Sequence, residues 1–281
     1  MNEQQEQIRD QQKATWNKFS PGWKKWDELT MRFLKPMGDE IISRLAILDG
    51  NTVLDIAAGT GEPGLSIASM IPNGKVIITD LAEGMLDVAR AKAATRGLNN
   101  VEFKIADVSA LPFDDNTFDA ISCRMGYMFF PDMALATREI ARVLKPGGRI
   151  ATSVWNTPAK NFWVTSMMST INKNIETPAP PNGAPGMFRC AEPGMIADFF
   201  TRSGLTAINE TEINERLLLG SAETFWNFHT DVAAPVVAAL NKADETMKRK
   251  IKKEVFEALH NKYKEGEIYL DYSARVISGT K

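Results

Sequence analysis

Residues Thr52–Gly64 read TVLDIAAGTGEPG, and the fold follows from this stretch. Thr52–Ile56 is a short apolar, β-branched run of the kind that forms a buried strand. Gly59 and Gly61 then flank Thr60 in a tight turn, and Glu62–Met70 carries Leu65, Ile67, Ala68 and Met70 at helical spacing. The reading is strand, glycine turn, helix. Such a turn brings bare backbone and a helix N-terminus to the mouth of a parallel sheet, where a ligand can rest because glycine has no Cβ to block it. Gly59, Gly61 and Gly64 also spell G-x-G-x-x-G, the pattern of dinucleotide sites. Asp55 argues against a pyrophosphate there. A carboxylate beside the loop repels phosphate and suits a cationic group such as an amine or a sulfonium. Pro63, at the start of the helix, donates no hydrogen bond.

Downstream, the same unit repeats. Lys75–Thr79 reads as a second strand ending at Asp80, about twenty residues after the loop glycines. That is the interval at which an acid reaches ribose hydroxyls; Asp80 is also placed to cap the helix Leu81–Ala94. Val101–Ile105 is a third strand, followed by Asp107. Phe118–Cys123 and Arg149–Trp155 are a fourth and fifth, with a helix from Asp132 to Leu144 between them. Strands alternating with helices make a doubly wound α/β sheet, and Asp55, Asp80 and Asp107 share its ligand-binding rim.

From Asn156 the alternation stops. Asn161–Ile175 reads as a helix, Glu176–Gly186 as a Pro/Gly loop and Glu192–Ser203 as a helix. Leu205–Asn214 reads as a strand, Ser221–Tyr263 as mostly helix and Tyr269–Ser278 as a strand. The last two strands suit an antiparallel hairpin at one sheet edge. Upstream, polar residues 2–12 lead to Trp16, Phe19, Trp23 and Trp26, ahead of an amphipathic helix Leu29–Leu48. Those aromatics either pack the arm onto the core or cover an apolar or cationic ligand. The chain divides into an N-terminal arm (1–48), a core (49–155), an inserted helix and loop (156–191), and a C-terminal part (192–281) that completes the sheet and carries a helical insertion (221–263).

Bulk properties exclude several classes. With 281 residues, 44% apolar and 24% charged, the chain has the make-up of an ordinary soluble globular protein. A net charge of −2 without a basic block disfavours nucleic acid as partner. Cys123 and Cys190 offer no disulfide framework, and His229 and His260 leave little material for a metal centre or a histidine triad. The polar start is no signal peptide and no stretch reaches membrane-span length, so a cytoplasmic monomer or homodimer is expected.

The blocks VLDIAAGTG (53–61), VIITD (76–80), IADVSALPFDDNTFDAI (105–121) and REIARVLKPGGRI (138–150) resemble the class I S-adenosylmethionine-dependent methyltransferases. LPFDDNTFD followed by RVLKPGGR points to the ubiquinone/menaquinone-biosynthesis-type branch. Ala57 departs from the family pattern, which has glycine there. The resemblance implies a mostly parallel seven-stranded sheet with the last strand antiparallel, and S-adenosyl-L-methionine as cofactor. It implies that Asp55, Ala57, Gly59, Thr60 and Gly61 surround the cofactor's amino-acid portion. Asp80 and Leu81 would hold the ribose, Met85, Asp107 and Val108 the adenine, and Arg124 and Met125 would face the reactive end. Trp16, Phe19, Trp23, Trp26, Tyr127 and Trp155 suggest a small apolar or aromatic methyl acceptor beneath a helical lid. No catalytic base stands out. Tyr127 and His229 are weak candidates, and His229 reads first as a half-buried packing residue. The rival readings are a NAD(P)-dependent oxidoreductase and a non-catalytic cofactor-binding protein.

Overall fold

Seven strands form one sheet: β1 (Thr52–Ile56), β2 (Lys75–Asp80), β3 (Val101–Ile105), β4 (Phe118–Arg124), β5 (Leu144–Trp155), β6 (Thr206–Gly220) and β7 (Ile268–Thr280). Their order is β3-β2-β1-β4-β5-β7-β6. The computed structural model describes residues 1–176, 183–264 and 266–281. β1 to β5 run parallel, and β7 runs antiparallel to both β5 and β6. The seven-stranded, mostly parallel expectation therefore holds. The chain winds outward from β1 to β3 and then returns to β4 beside β1. That reversal opens a crevice at the carboxyl ends of β1 and β4. Right-handed crossovers put α3 (Gly64–Met70) and α4 (Glu83–Thr95) on one face and α5 (Met133–Val143) on the other. Val53, Leu54, Val76, Ile78 and Ile121 are fully or almost fully buried, as β-branched and apolar residues covered on both faces should be.

The N-terminal arm is a helix, α1 (Glu3–Lys25), joined through Trp26 to α2 (Asp27–Leu45). Asn2 and Gln5 start α1 with a reciprocal capping box. Pro21, inside it, has no N–H for the Asn17 carbonyl, and the Ser20 hydroxyl donates there instead at 3.0 Å. α1 lies across the strand ends. Gln5 Nε2 donates to Asp132 at the start of α5 (3.2 Å), and Gly84 N–H at the start of α4 donates to Asn17 (2.9 Å). α2 packs its Phe33, Met37 and Ile41 stripe on the face shared with α3 and α4.

The C-terminal third supplies α6 (Phe162–Asn174), α7 (Met195–Arg202), α8 (Ala222–Val232), α9 (Ala234–Leu240) and α10 (Glu245–Lys262). β6 extends past the expected Asn214 because β7 pairs with it from Thr206 opposite Thr280 to Gly220 opposite Ile268. Of the expected loop Glu176–Gly186, residues 177–182 lie outside the described residues. No helix among the described residues is long and apolar enough to cross a membrane.

Candidate functional site

The glycine turn is shaped by carboxylates. Gly64 N–H donates to Asp55 Oδ2 at 2.9 Å, and an added Cβ on Gly64 would stand 2.7 Å from that oxygen. Ser66 N–H donates to Glu62 Oε2 at 3.1 Å, while Glu62 pairs with Arg96 at 2.6 Å. The first turn of α3 thus spends these N–H groups on protein acids, which leaves it poorly suited to the pyrophosphate of a dinucleotide. Gly61, at φ +99°, packs so tightly on Leu65 and Ala89 that a Cβ would clash. Gly59, at φ +55°, faces open space. Ala57 adopts φ +52°, a left-handed conformation that costs an alanine about 1 kcal/mol, which accounts for glycine in the related pattern. Its methyl is accommodated because residue 126 is glycine; a Cβ there would lie 2.8 Å from Ala57 Cβ.

A cavity of about 340 Å³ opens from this turn, within the range of small-molecule sites. Its walls run from Asp107 after β3 to Trp155 at the end of β5, four strand spacings or roughly 19 Å. At the rim lie Ala57, Gly59 and Thr60, then Asp80, Leu81 and Met85, then Asp107 and Val108. Arg124 and Met125 sit where β4 ends, and Trp16, Trp23 and Trp155 line the aromatic part. Asp80 accepts from Gly59 N–H and Ala82 N–H, both at 2.8 Å, so it braces the glycine turn and caps toward α4 while it borders the cavity. Burial raises its pKa. Asp107 accepts from Ser109 N–H at 2.8 Å, and Arg9 of α1 lies 3.7 Å away. Arg124 is half-buried; its hydrogen bond to the Leu34 carbonyl is long, at 3.4 Å. Burial lowers its pKa, with Glu62 and Asp55 acting in the opposite direction.

Six sequence candidates lie outside the cavity wall. Asp55 is wholly buried, held by Gly64 and by the Ser122 hydroxyl at 2.6 Å, and burial pushes its pKa up to about 7. Gly61 serves helix packing. Phe19 is partly buried on α1. Trp26 donates its indole N–H to Asp231 at 2.8 Å and stands edge-on to Phe228. Tyr127 is buried beside Phe130 and Phe200 with its hydroxyl 3.3 Å from Thr137, and burial drives its pKa well up. His229 is buried among Trp163, Phe225 and Phe228, its Nδ1 2.8 Å from the Phe225 carbonyl; burial pulls its pKa down to about 4. Neither Tyr127 nor His229 is placed to take a proton from a molecule in the cavity.

Other wall residues escaped the sequence reading. Arg9, Gln12 and Thr15 belong to a segment that looked merely polar. Phe33 and Leu34 read as core positions of α2 and Thr30 drew no reading, while Glu62 directly follows the glycines, which was the available signal. Trp163 and Phe228 close the aromatic end from α6 and α8. Among the described residues, no group of three or more His, Cys, Asp or Glu is placed to hold a metal ion.

Residues 53–148 match the family described as a methyltransferase domain. The ubiquinone/menaquinone biosynthesis C-methyltransferase UbiE of Marinomonas sp. is 40% identical over 119 residues, 42% of this chain and 47% of that protein. The chain spans about half the length of the curated relatives it matches. Among solved structures, the YcgJ protein of Bacillus subtilis aligns with a TM-score of 0.59 at 22% identity, over 88% of this chain and 98% of the other. Haemonchus contortus phosphoethanolamine N-methyltransferase 2, in complex with phosphomonomethylethanolamine and S-adenosylhomocysteine, aligns with a TM-score of 0.53 at 17% identity, over 87% of this chain and 52% of the other. The doubly wound fold of these structures is the fold of this chain.

Proposed function

We propose that the chain is an S-adenosylmethionine-dependent methyltransferase acting on a small, largely apolar or aromatic acceptor. One observation carries the reading. A single cavity joins an acid-lined rim over β1 to β3 with an aromatic chamber beyond β4 and β5. Two ligands of opposite character, one polar and one apolar, fit such a space end to end. The match of residues 53–148 to a methyltransferase domain supports the polar half, and relatives named for quinone biosynthesis support an aromatic acceptor in the other.

The residues at the rim fit the cofactor. Gly59 lets the backbone approach, since nothing stands where its Cβ would project. Asp80 keeps lone pairs beyond those it gives to Gly59 and Ala82, enough to accept from ribose hydroxyls. Asp107 and Met85 are placed for an adenine, one as acceptor and one as an apolar surface. The Arg124 guanidinium offers unspent donors to a carboxylate. When bound, the cofactor supplies an electrophilic methyl group on a sulfonium. The protein's part is then to align the acceptor and exclude water. Phe33, Trp155, Trp163 and Phe228 make the acceptor end dry, and α1 covers the strand ends.

Calorimetry with S-adenosylhomocysteine tests the reading. One site per chain is expected, and Asp80→Ala should weaken it by roughly ten- to a hundredfold, directly and through the turn it braces. Absence of heat and of any thermal shift at millimolar ligand would overturn it.

A further inference from the structure

We propose that the indole N–H of Trp23 selects an acceptor that carries an oxygen on its ring, so the aromatic chamber takes phenols or ring carbonyls over hydrocarbons of the same shape. The methyl-transfer reading supplies the word acceptor; the binding preference is a property of the cavity and stands apart from it. Trp23 is part of the cavity wall, and its Nε1 is shielded from solvent without a hydrogen-bond partner among the described residues. The contrast with neighbouring indoles is direct. Trp26 donates to Asp231 at 2.8 Å and Trp163 donates to Asn161 at 3.1 Å. Indole nitrogen is a donor only, and a buried donor left unpaired is costly, which is why nearly all such groups find an acceptor.

The surroundings say what that acceptor is. Trp16 stands edge-on to Trp23 and to Phe129, with ring centroids 6.1 Å and 5.2 Å apart, and all three border the cavity, so the wall around the donor is aromatic. The Thr30 hydroxyl, also in the wall, already donates to the Trp26 and Asp27 carbonyls. The backbone that carries the indole is held in place. Trp26 is tied to Asp231 of α8 through its own N–H, and at Gly22 the helix lies so close that a Cβ would fall 2.1 Å from the Asp231 carbonyl oxygen. A neutral donor set among rings matches an oxygen on an aromatic body.

The test uses the full chain with Trp23→benzothienylalanine, which keeps the bicyclic ring and replaces N–H by sulfur, and with Trp23→Phe as a second variant. Binding of 1-naphthol and of naphthalene is measured by calorimetry, with and without S-adenosylhomocysteine. The expected result is a loss of about tenfold in naphthol affinity in both variants. Naphthalene affinity should stay within about twofold in the benzothienylalanine protein. Equal losses for both probes would assign Trp23 a packing role and overturn the proposal. So would unchanged naphthol binding, the result expected if the N–H merely holds a water, and so would failure of the wild type to bind either probe. Naphthol selectivity without any binding of S-adenosylhomocysteine would uphold the donor while removing the methyl-transfer reading.

Discussion

Asp55 shows how much one buried side chain can set at the residue scale. Its carboxylate lies inside the core, and two neutral donors, Gly64 N–H and the Ser122 hydroxyl, hold it in place. Burial outweighs those bonds and lifts its pKa from 3.8 to about 7. Below the lower value the group is protonated in both folded and unfolded chains and contributes nothing. Between the two values the folded chain keeps a proton that the unfolded chain has released, so stability falls as pH rises; above about 7 the penalty is complete. At about 1.4 kcal/mol per unit this amounts to a few kcal/mol. Asp55→Asn, which cannot ionise, should therefore gain stability relative to wild type as pH rises from about 4.5 to 8. Urea unfolding of the ligand-free proteins at both ends checks this. A constant difference between the two proteins across the range would mean that Asp55 ionises normally. The sequence reading set this residue beside the ligand as a counter-charge. The structure places it one layer below, where it orders the glycine turn.

At the scale of elements, the strands were legible and the first half of α1 was not. β1, β2 and β4 announce themselves through largely apolar runs, because a parallel strand buried on both faces has little freedom to look otherwise, whereas β3, at the sheet edge, is only partly buried. α1 gave no such sign before Trp16. Its inward face there carries Arg9, Gln12 and Thr15, which border a ligand cavity rather than core, so the apolar stripe that identifies a helix is missing. The same cause hid Glu62, whose role depends on where the turn points it. α1 should govern access to the site more than it governs the fold. We expect deletion of residues 1–27 to abolish methyl transfer while leaving a folded core with moderately weaker S-adenosylhomocysteine binding. Gly22→Ala should act more gently in the same direction. Its Cβ would meet the Asp231 backbone at 2.1 Å, so α1 must shift away from α8. Turnover of both variants at the wild-type rate, with an acceptor that the wild type methylates, would reduce α1 to packing.

At the scale of the whole molecule, the divisions drawn on the sequence at residues 48, 155 and 191 cut through one interior. Phe33 of α2 stacks on Trp155 of β5 and meets Trp163 of α6 and Tyr272 of β7 edge-on. One cluster of buried residues runs from there through Ile140 and Phe200 to Ile277. β5 is no edge strand: Arg149–Trp155 pairs residue by residue with Ala274–Thr280. Arg275, in that same stretch of β7, is buried and binds Glu210 at 2.9 Å and Asn156 at 3.1 Å. The methyltransferase match ends at residue 148, yet most of β5 and all of β6 and β7 lie beyond that point in the chain. A fragment of residues 49–155 would expose the β5 edge and the apolar faces of Ile150, Val154 and Trp155, an invitation to aggregate. The full chain should unfold in one cooperative transition whose midpoint rises with S-adenosylhomocysteine, as the native state gains about 2.7 kcal/mol at a hundredfold excess over Kd. The 49–155 fragment should show no cooperative transition and no near-ultraviolet circular dichroism. A soluble fragment that melts cooperatively would mean that the core folds alone and that the C-terminal third is an attachment, with the acceptor chamber built across a boundary between two independent bodies.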